Sequence, residues 1–284
     1  MANELRPLFL PDDARSLTWS DEPTTASYPP LGFVPIAEAQ LGNGDHFGLY
    51  WPVGQEDQEP LVAEIWHDEW TLQPKFSCAA TFINALGAGD SPPDTPQISD
   101  DPRSPLALFL AAKNSLKSGP NAAITHLKTA VARLPEYRDA QALLATQLRR
   151  VGDHSNSVKA AIAAIISPPC FGAAPIQLAR WLAGQDACPT EIEEDPIWRE
   201  RARLTLKFGG TKENEQYEIL SNAIEVYIGQ EKYVQAVTLM QMYGQEIAGE
   251  TVSFRERCNY NEAEFLARQI EIASLAGCSR RLAI

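Results

Sequence analysis

A shift of 34 residues lays part of this chain onto itself, and that self-similarity limits the possible fold more than any other feature. Leu108 then falls on Ala142, Leu110 on Leu144 and Ala111 on Ala145. Further along, Ile124 falls on Val158, Ala130 on Ala164, Val131 on Ile165 and Pro135 on Pro169. Apolar residues at helical spacing, closed by proline, describe a repeated helix–turn–helix unit. Small alanines let neighbouring helices approach closely, and larger side chains fill the seam. Polar turns fall at Lys117-Ser-Gly-Pro120 and Gly152-Asp-His-Ser155. A third unit of similar character spans Ala223 to Val237, with Tyr233 and Ala236 at packing positions. Prolines at 168, 169, 175 and 189 interrupt the array over residues 168–195. Segments Asp195–Phe208 and Thr251–Ala276 read as further helices.

Upstream of Pro105 the character is different. Residues 87–105 hold five prolines and two glycines with little apolar content, which marks a linker. Residues 1–40 are broken by prolines at 7, 11, 23, 29, 30 and 35, so short strands and turns are expected there. In Leu41-Gly-Asn-Gly-Asp-His-Phe-Gly-Leu-Tyr-Trp-Pro52, glycines flank Asn43 and Asp45 follows. That pattern is a tight turn delivering a strand, because Gly and Asn accept positive φ. Strands are expected at Phe47–Pro52 and Pro60–Trp66, joined by an acidic loop over 53–59 as a hairpin or meander. A helix is expected from Phe76 to Leu86, stopped by Gly87. The expected organisation is an α+β domain over residues 1–88, a Pro-rich linker over 89–105 and an all-α domain over 106–284.

The net charge of −13 is concentrated at one end. Residues 1–100 carry three basic side chains (Arg6, Arg15, Lys75) against sixteen acidic ones, whereas residues 101–284 carry 21 of each. A field of that sign repels nucleic acid and anionic membrane and draws basic partners. The five cysteines have no zinc or redox spacing, so reduced, mostly buried thiols and a cytoplasmic location are expected. No signal-peptide pattern is evident at the N-terminus. No apolar run approaches the roughly 20 residues that a membrane span needs.

Few residues are candidates for chemistry. Glu64-x-x-His67 is a single carboxylate–histidine pair, and in a strand positions three apart point to opposite faces. His67 with Asp68 would need a nucleophile, and neighbouring Ser77 and Cys78 lack the glycines of a nucleophile elbow. No phosphate-binding glycine loop or zincin helix is present. No catalytic, cofactor or metal residue is therefore assigned. Tryptophans 51, 66 and 70 supply large apolar area, and at least one is expected in the core. Glu56, Asp57, Glu59, Asp68 and Glu69 form two acidic clusters at successive strand ends. With Trp70 they are the expected partner-binding residues, forming one acidic patch for a lysine- or arginine-rich protein. Arg149, Arg150, Arg199, Arg201 and Arg203 are read as helix-surface charges in local pairs.

Two resemblances follow from these residues. The 34-residue unit ending in proline resembles a tetratricopeptide repeat, which implies a concave groove for a peptide or helix. The stretch Leu41–Pro52, then Glu59-Pro-Leu-Val-Ala-Glu-Ile-Trp-His-Asp-Glu-Trp70, then Phe76-Ser-Cys with a helix containing Phe82, resembles the SUKH superfamily over residues 30–90. That superfamily includes fungal cell-wall regulators and bacterial immunity proteins that neutralise polymorphic toxins. Where it carries an acidic N-terminal helix, this chain has proline-rich residues 1–30. The resemblance implies a small α+β domain with a curved sheet, no enzymatic activity and a protein-binding role. The expected function is that of an immunity protein occluding a toxin, with a basic nuclease as the fitting target. The alternative is a non-enzymatic scaffold or adaptor holding a peptide in its helical groove.

Overall fold

The computed structural model describes residues 31–40, 45–66, 68–87, 96–209 and 214–277. The fold is mixed α and β. It divides into two compact units, the first through Pro135 and the second from Glu136 to Cys278.

In the first unit, β1 (Phe33–Gln40), β2 (His46–Tyr50), β3 (Leu61–Trp66) and β4 (Thr71–Phe76) form an antiparallel meander in chain order. The proline-rich start was expected to hold short strands, and β1 accommodates Pro35 at the sheet edge, where no ladder donor is required. Cross-strand register puts Val34, Phe47, Leu49, Val62 and Glu64 on one face, with Phe33, Tyr50, Leu61, Ala63 and Ile65 on the other. All of β2 and all but the last residue of β3 are buried, so both faces are covered. Helix α1 (Ala79–Gly87) closes the first face. Its Phe82 ring lies 5.1 Å from Phe47 and 5.3 Å from Phe76, beside Ile36, Leu49 and Val62. Helix α1 starts later than expected, because residues Thr71 to Phe76 form β4. The Gln73-Pro74-Lys75 run hides that strand from a search for alternation.

Helices α2 (Pro105–Ser115) and α3 (Pro120–Arg133) form a hairpin in this same unit, with α2 beside β4. The division of the chain therefore falls after Pro135, not in the Pro-rich stretch. The described end of that stretch is built into the fold. Asp101 is buried at the N-terminus of α1, where its Oδ2 accepts from Ser77 N (2.6 Å) and Thr81 Oγ1 (3.0 Å). A carboxylate is favourable there, since helix N-termini carry unpaired N–H groups and partial positive charge. Ser104 Oγ donates to Lys75 O and accepts from Ala107 N, capping α2. Arg133, at the end of α3, donates from Nη2 to Glu59 O (2.5 Å) and Ser77 O (2.7 Å). One end of the sheet is thus tied to both helices of the hairpin.

The second unit is helical. Helices α4 (Arg138–Arg150) and α5 (His154–Ile166) form a hairpin, as do α8 (Gln216–Gly229) and α9 (Tyr233–Ala248), with α11 (Glu262–Leu275) packed on α9. Pro120 and His154, which begin α3 and α5, are 34 residues apart, matching the sequence period. Between the hairpins lie α6 (Ile176–Ala183) and α7 (Pro196–Arg199). The long helix expected over 195–208 stops at Arg199, and Leu206 takes a left-handed φ of 52°. The helix expected over 251–276 is split into α10 (Val252–Arg257) and α11 by Asn259 (φ 52°), with Asn261 capping α11. Arg138 is buried, and desolvation pulls its guanidinium down to about 10, an effect the Glu246 charge opposes.

Two outcomes are expected. Gly48 lies under the Phe33 ring, and a Cβ there would meet Phe33 Cζ at 2.4 Å and Val34 O at 2.6 Å. Gly48→Ala should therefore cost about 2 kcal/mol, read as a lower urea midpoint. Asp195 is buried at the α7 N-terminus, accepting from Ile197 N and Tyr227 Oη, and burial raises its pKa above the usual 3.8. The folded state then holds that proton more tightly than the unfolded chain, so its contribution to stability falls as pH rises through the folded value. Asp195→Asn should flatten that decline, measured by denaturation at stepped pH from 3 upward.

Candidate functional site

The β3–β4 turn carries the most distinctive surface of the first unit. Trp66 ends β3 and pairs with Thr71, which opens β4. Asp68, Glu69 and Trp70 fill the turn and are exposed. His67, weighed from sequence as a ligand or base, lies outside the described residues, as do Asn43 and its flanking glycines. Trp66 and Trp70 are each 37% exposed, among the few large apolar side chains that remain so. Trp70 adopts φ 54°, which is uncommon for a bulky residue. None of the three tryptophans is fully buried, contrary to expectation. Trp51 comes nearest, half-buried against the α1 core.

The turn is held from beneath by a buried ion pair. Lys75 Nζ lies 2.8 Å from Glu64 Oε2, with both residues nearly inaccessible. The same carboxylate oxygen accepts from Trp66 Nε1 at 2.7 Å. The Lys75 ammonium also sits over the Phe47 ring, 5.4 Å from its centroid. In a low-dielectric core neither charge is tolerable alone. Their pairing places Glu64 where it can fix the Trp66 indole at the strand end. In the sequence Glu64 stands out only as half of a Glu-x-x-His pair. Lys75 is legible as one of three basic residues against sixteen acidic ones in residues 1–100, but its partner is not.

The expected single acidic patch does not form. Glu56, Asp57 and Glu59 lie in the β2–β3 connection, while Asp68, Glu69 and Trp70 lie in the β3–β4 turn. In a meander these connections sit at opposite ends of β3. Six residues of strand separate them by about 17 Å. The β2–β3 connection is also at the tied end: Gln55 Nε2 donates to Ala132 O, and Glu59 O receives Arg133. Asp57 and Glu59 are exposed there and Glu56 is half-buried.

Other chemistry is sparse. Ser77 N is engaged by Asp101, and Cys78 Sγ lies 3.7 Å from Thr81 Oγ1. Among the described residues no group of three or more His, Cys, Asp or Glu is arranged to hold a metal. The four described cysteines are free, but only Cys170 is buried, so the expectation of mostly buried thiols is corrected. Among the described residues no helix is long and apolar enough to cross a membrane. Of the five arginines expected in local pairs, Arg199 pairs with Glu194 and Arg203 with Glu200 and Glu215, whereas Arg201 donates to Gln185 O and Trp198 O, Arg150 donates to Gln147 Oε1 and Arg149 lies over the Trp181 ring. The second unit also has a recess of about 210 Å³ between α8, α9 and α11, with Met240, Tyr243, Tyr260 and Phe265 among its lining.

Two family models match the chain: the YfbP N-terminal domain over residues 19–95 and the YfbP C-terminal domain over residues 207–284. The chain is similar to "Uncharacterized protein YfbP" of Escherichia coli (strain K12). The two are 36% identical over 245 residues, covering 85% of this chain and 86% of that protein. No solved structure matches the chain.

Removing one member of the Glu64–Lys75 pair should be far worse than replacing both. Glu64→Gln or Lys75→Met alone should cost about 3–5 kcal/mol, because a charge is left buried without its partner. The double replacement Glu64→Leu with Lys75→Met should recover most of that loss. Denaturant titration of the three variants checks the pattern, which fails if the double variant is the least stable.

Proposed function

This chain belongs to the YfbP family, and from that premise we propose that it is a non-enzymatic, protein-binding protein of the immunity type. It acts in the cytoplasm by stoichiometric occlusion of a toxin, a basic nuclease being the fitting target. In this reading the sheet unit is SUKH-like and the helical hairpins are tetratricopeptide-like. The observation that supports it best is the β3–β4 turn, where exposed Trp66 and Trp70 bracket Asp68 and Glu69. Exposed tryptophans are strong interface anchors, and carboxylates beside them favour a cationic partner. A nuclease carries such a cationic surface to hold phosphate.

A second reading is a scaffold or adaptor, favoured by the aromatic recess of the α8–α9–α11 group. That recess suits one apolar anchor side chain of a bound peptide.

Co-expression of the chain with each toxin gene encoded beside it tests the first reading. One toxin should lose its lethality and co-purify at equal stoichiometry. If none is neutralised or retained, the immunity reading is overturned. The adaptor reading then rests on peptide binding that Phe265→Ala abolishes.

A further inference from the structure

We propose that the recess between α8, α9 and α11 docks a basic segment of a partner protein. One aromatic side chain of that segment enters the recess, and a neighbouring lysine or arginine pairs with Glu264. This rests on the second reading above, a peptide-binding adaptor, and gives that reading a surface and a partner chemistry. Of the apolar lining, Ile224, Met240 and Tyr243 are buried, while Tyr260 and Phe265 are half-buried. The Phe265 ring lies 5.4 Å from Tyr243 and 5.3 Å from Tyr260. The break that splits α10 from α11 contributes to the opening, since Cys258, Asn259, Tyr260 and Asn261 all line it.

A lining of this kind favours an aromatic anchor, through edge and offset ring contacts and a polarizable methionine that adapts to its shape. Charge complementarity selects what surrounds the anchor. Described residues 214–277 carry ten acidic side chains and four basic ones, so the neutral balance of residues 101–284 conceals an acidic end. At the rim Arg268 is already paired with Glu225 at 2.6 Å. Glu264, exposed in the first turn of α11, makes no ion pair among the described residues. A cation beside the anchor therefore meets an available carboxylate, whereas an acidic neighbour meets repulsion.

The probe is a pentapeptide of phenylalanine with two lysines on each side, titrated into the full chain by calorimetry at physiological salt. The same peptide with serine in place of phenylalanine should bind about tenfold more weakly. A version with glutamates in place of the lysines should also lose affinity. Ser221 is exposed at the recess, so Ser221→Trp fills the opening and leaves the core unchanged. That variant should weaken the lysine-flanked peptide about tenfold. Glu264→Gln should weaken it about threefold, and Glu264→Lys should turn the preference toward the glutamate-flanked peptide. The control Glu218→Gln removes a charge from α8 outside this recess and should leave affinity unchanged. If the serine peptide binds as well, or Glu218→Gln costs as much as Glu264→Gln, only a diffuse field is acting and the proposal is overturned. If the glutamate-flanked peptide binds the unaltered chain as tightly and Ser221→Trp blocks it, the recess takes an anchor without regard to charge. The adaptor reading then stands and this inference falls. If Ser221→Trp leaves all peptide binding intact, or no peptide binds, both fall.

Discussion

The Glu64 carboxylate is buried on the α1 face of the sheet, and the Lys75 ammonium 2.8 Å away is what makes that burial tolerable. Two adjacent strands are pinned by this contact in the middle of an aromatic cluster, with Lys75 over Phe47 and Phe47 against Phe82. The oxygen that meets the ammonium also receives the Trp66 indole. A core electrostatic contact is thereby carried to the surface, where it sets the first of the two exposed tryptophans. A hydrophobic replacement would pack, but it would give Trp66 no acceptor. Keeping a costly ion pair in the core is understandable if the position of that indole matters.

The opposite end of the sheet is governed by backbone capture. Asp101 takes the N-terminal groups of α1, Ser104 takes Lys75 O, and Arg133 takes Ser77 O and Glu59 O. These contacts join the first helical hairpin to the sheet and occupy the β2–β3 connection. The meander thus has one end committed to internal structure and one end presenting aromatic and acidic side chains. An asymmetry of this kind suits recognition, because a surface on a strand end is held more rigidly than one on a long loop.

Much of the architecture was legible in the residues. The period of 34 located the hairpins, because alanine-rich helices must stack on neighbours and repeat their packing positions. Phe47 and Ile65 marked strands through their apolar neighbours. The failures have physical causes. Strand β4 was missed because Pro74 and Lys75 disrupt its pattern, although Lys75 is paired inside the core. Asp101 and Ser104 read as linker because composition reports polarity, not whether a polar atom has found a backbone partner. Asn259 and Asn261 broke an expected helix because a left-handed residue and a new cap cost little there.

The sequence alone determined the class of elements, the separation of acidic and neutral halves, and the lack of any recognised catalytic motif, since periodicity, charge count and spacing are properties of the linear chain. Tertiary structure decided which carboxylates stand together. Glu56, Asp57 and Glu59 are close in sequence to Asp68 and Glu69, but an antiparallel strand between two turns sends them to opposite ends. It also decided that Glu64 belongs to Lys75. The register of β3 and β4 brings these side chains onto one buried face, and only that burial makes their charges depend on each other.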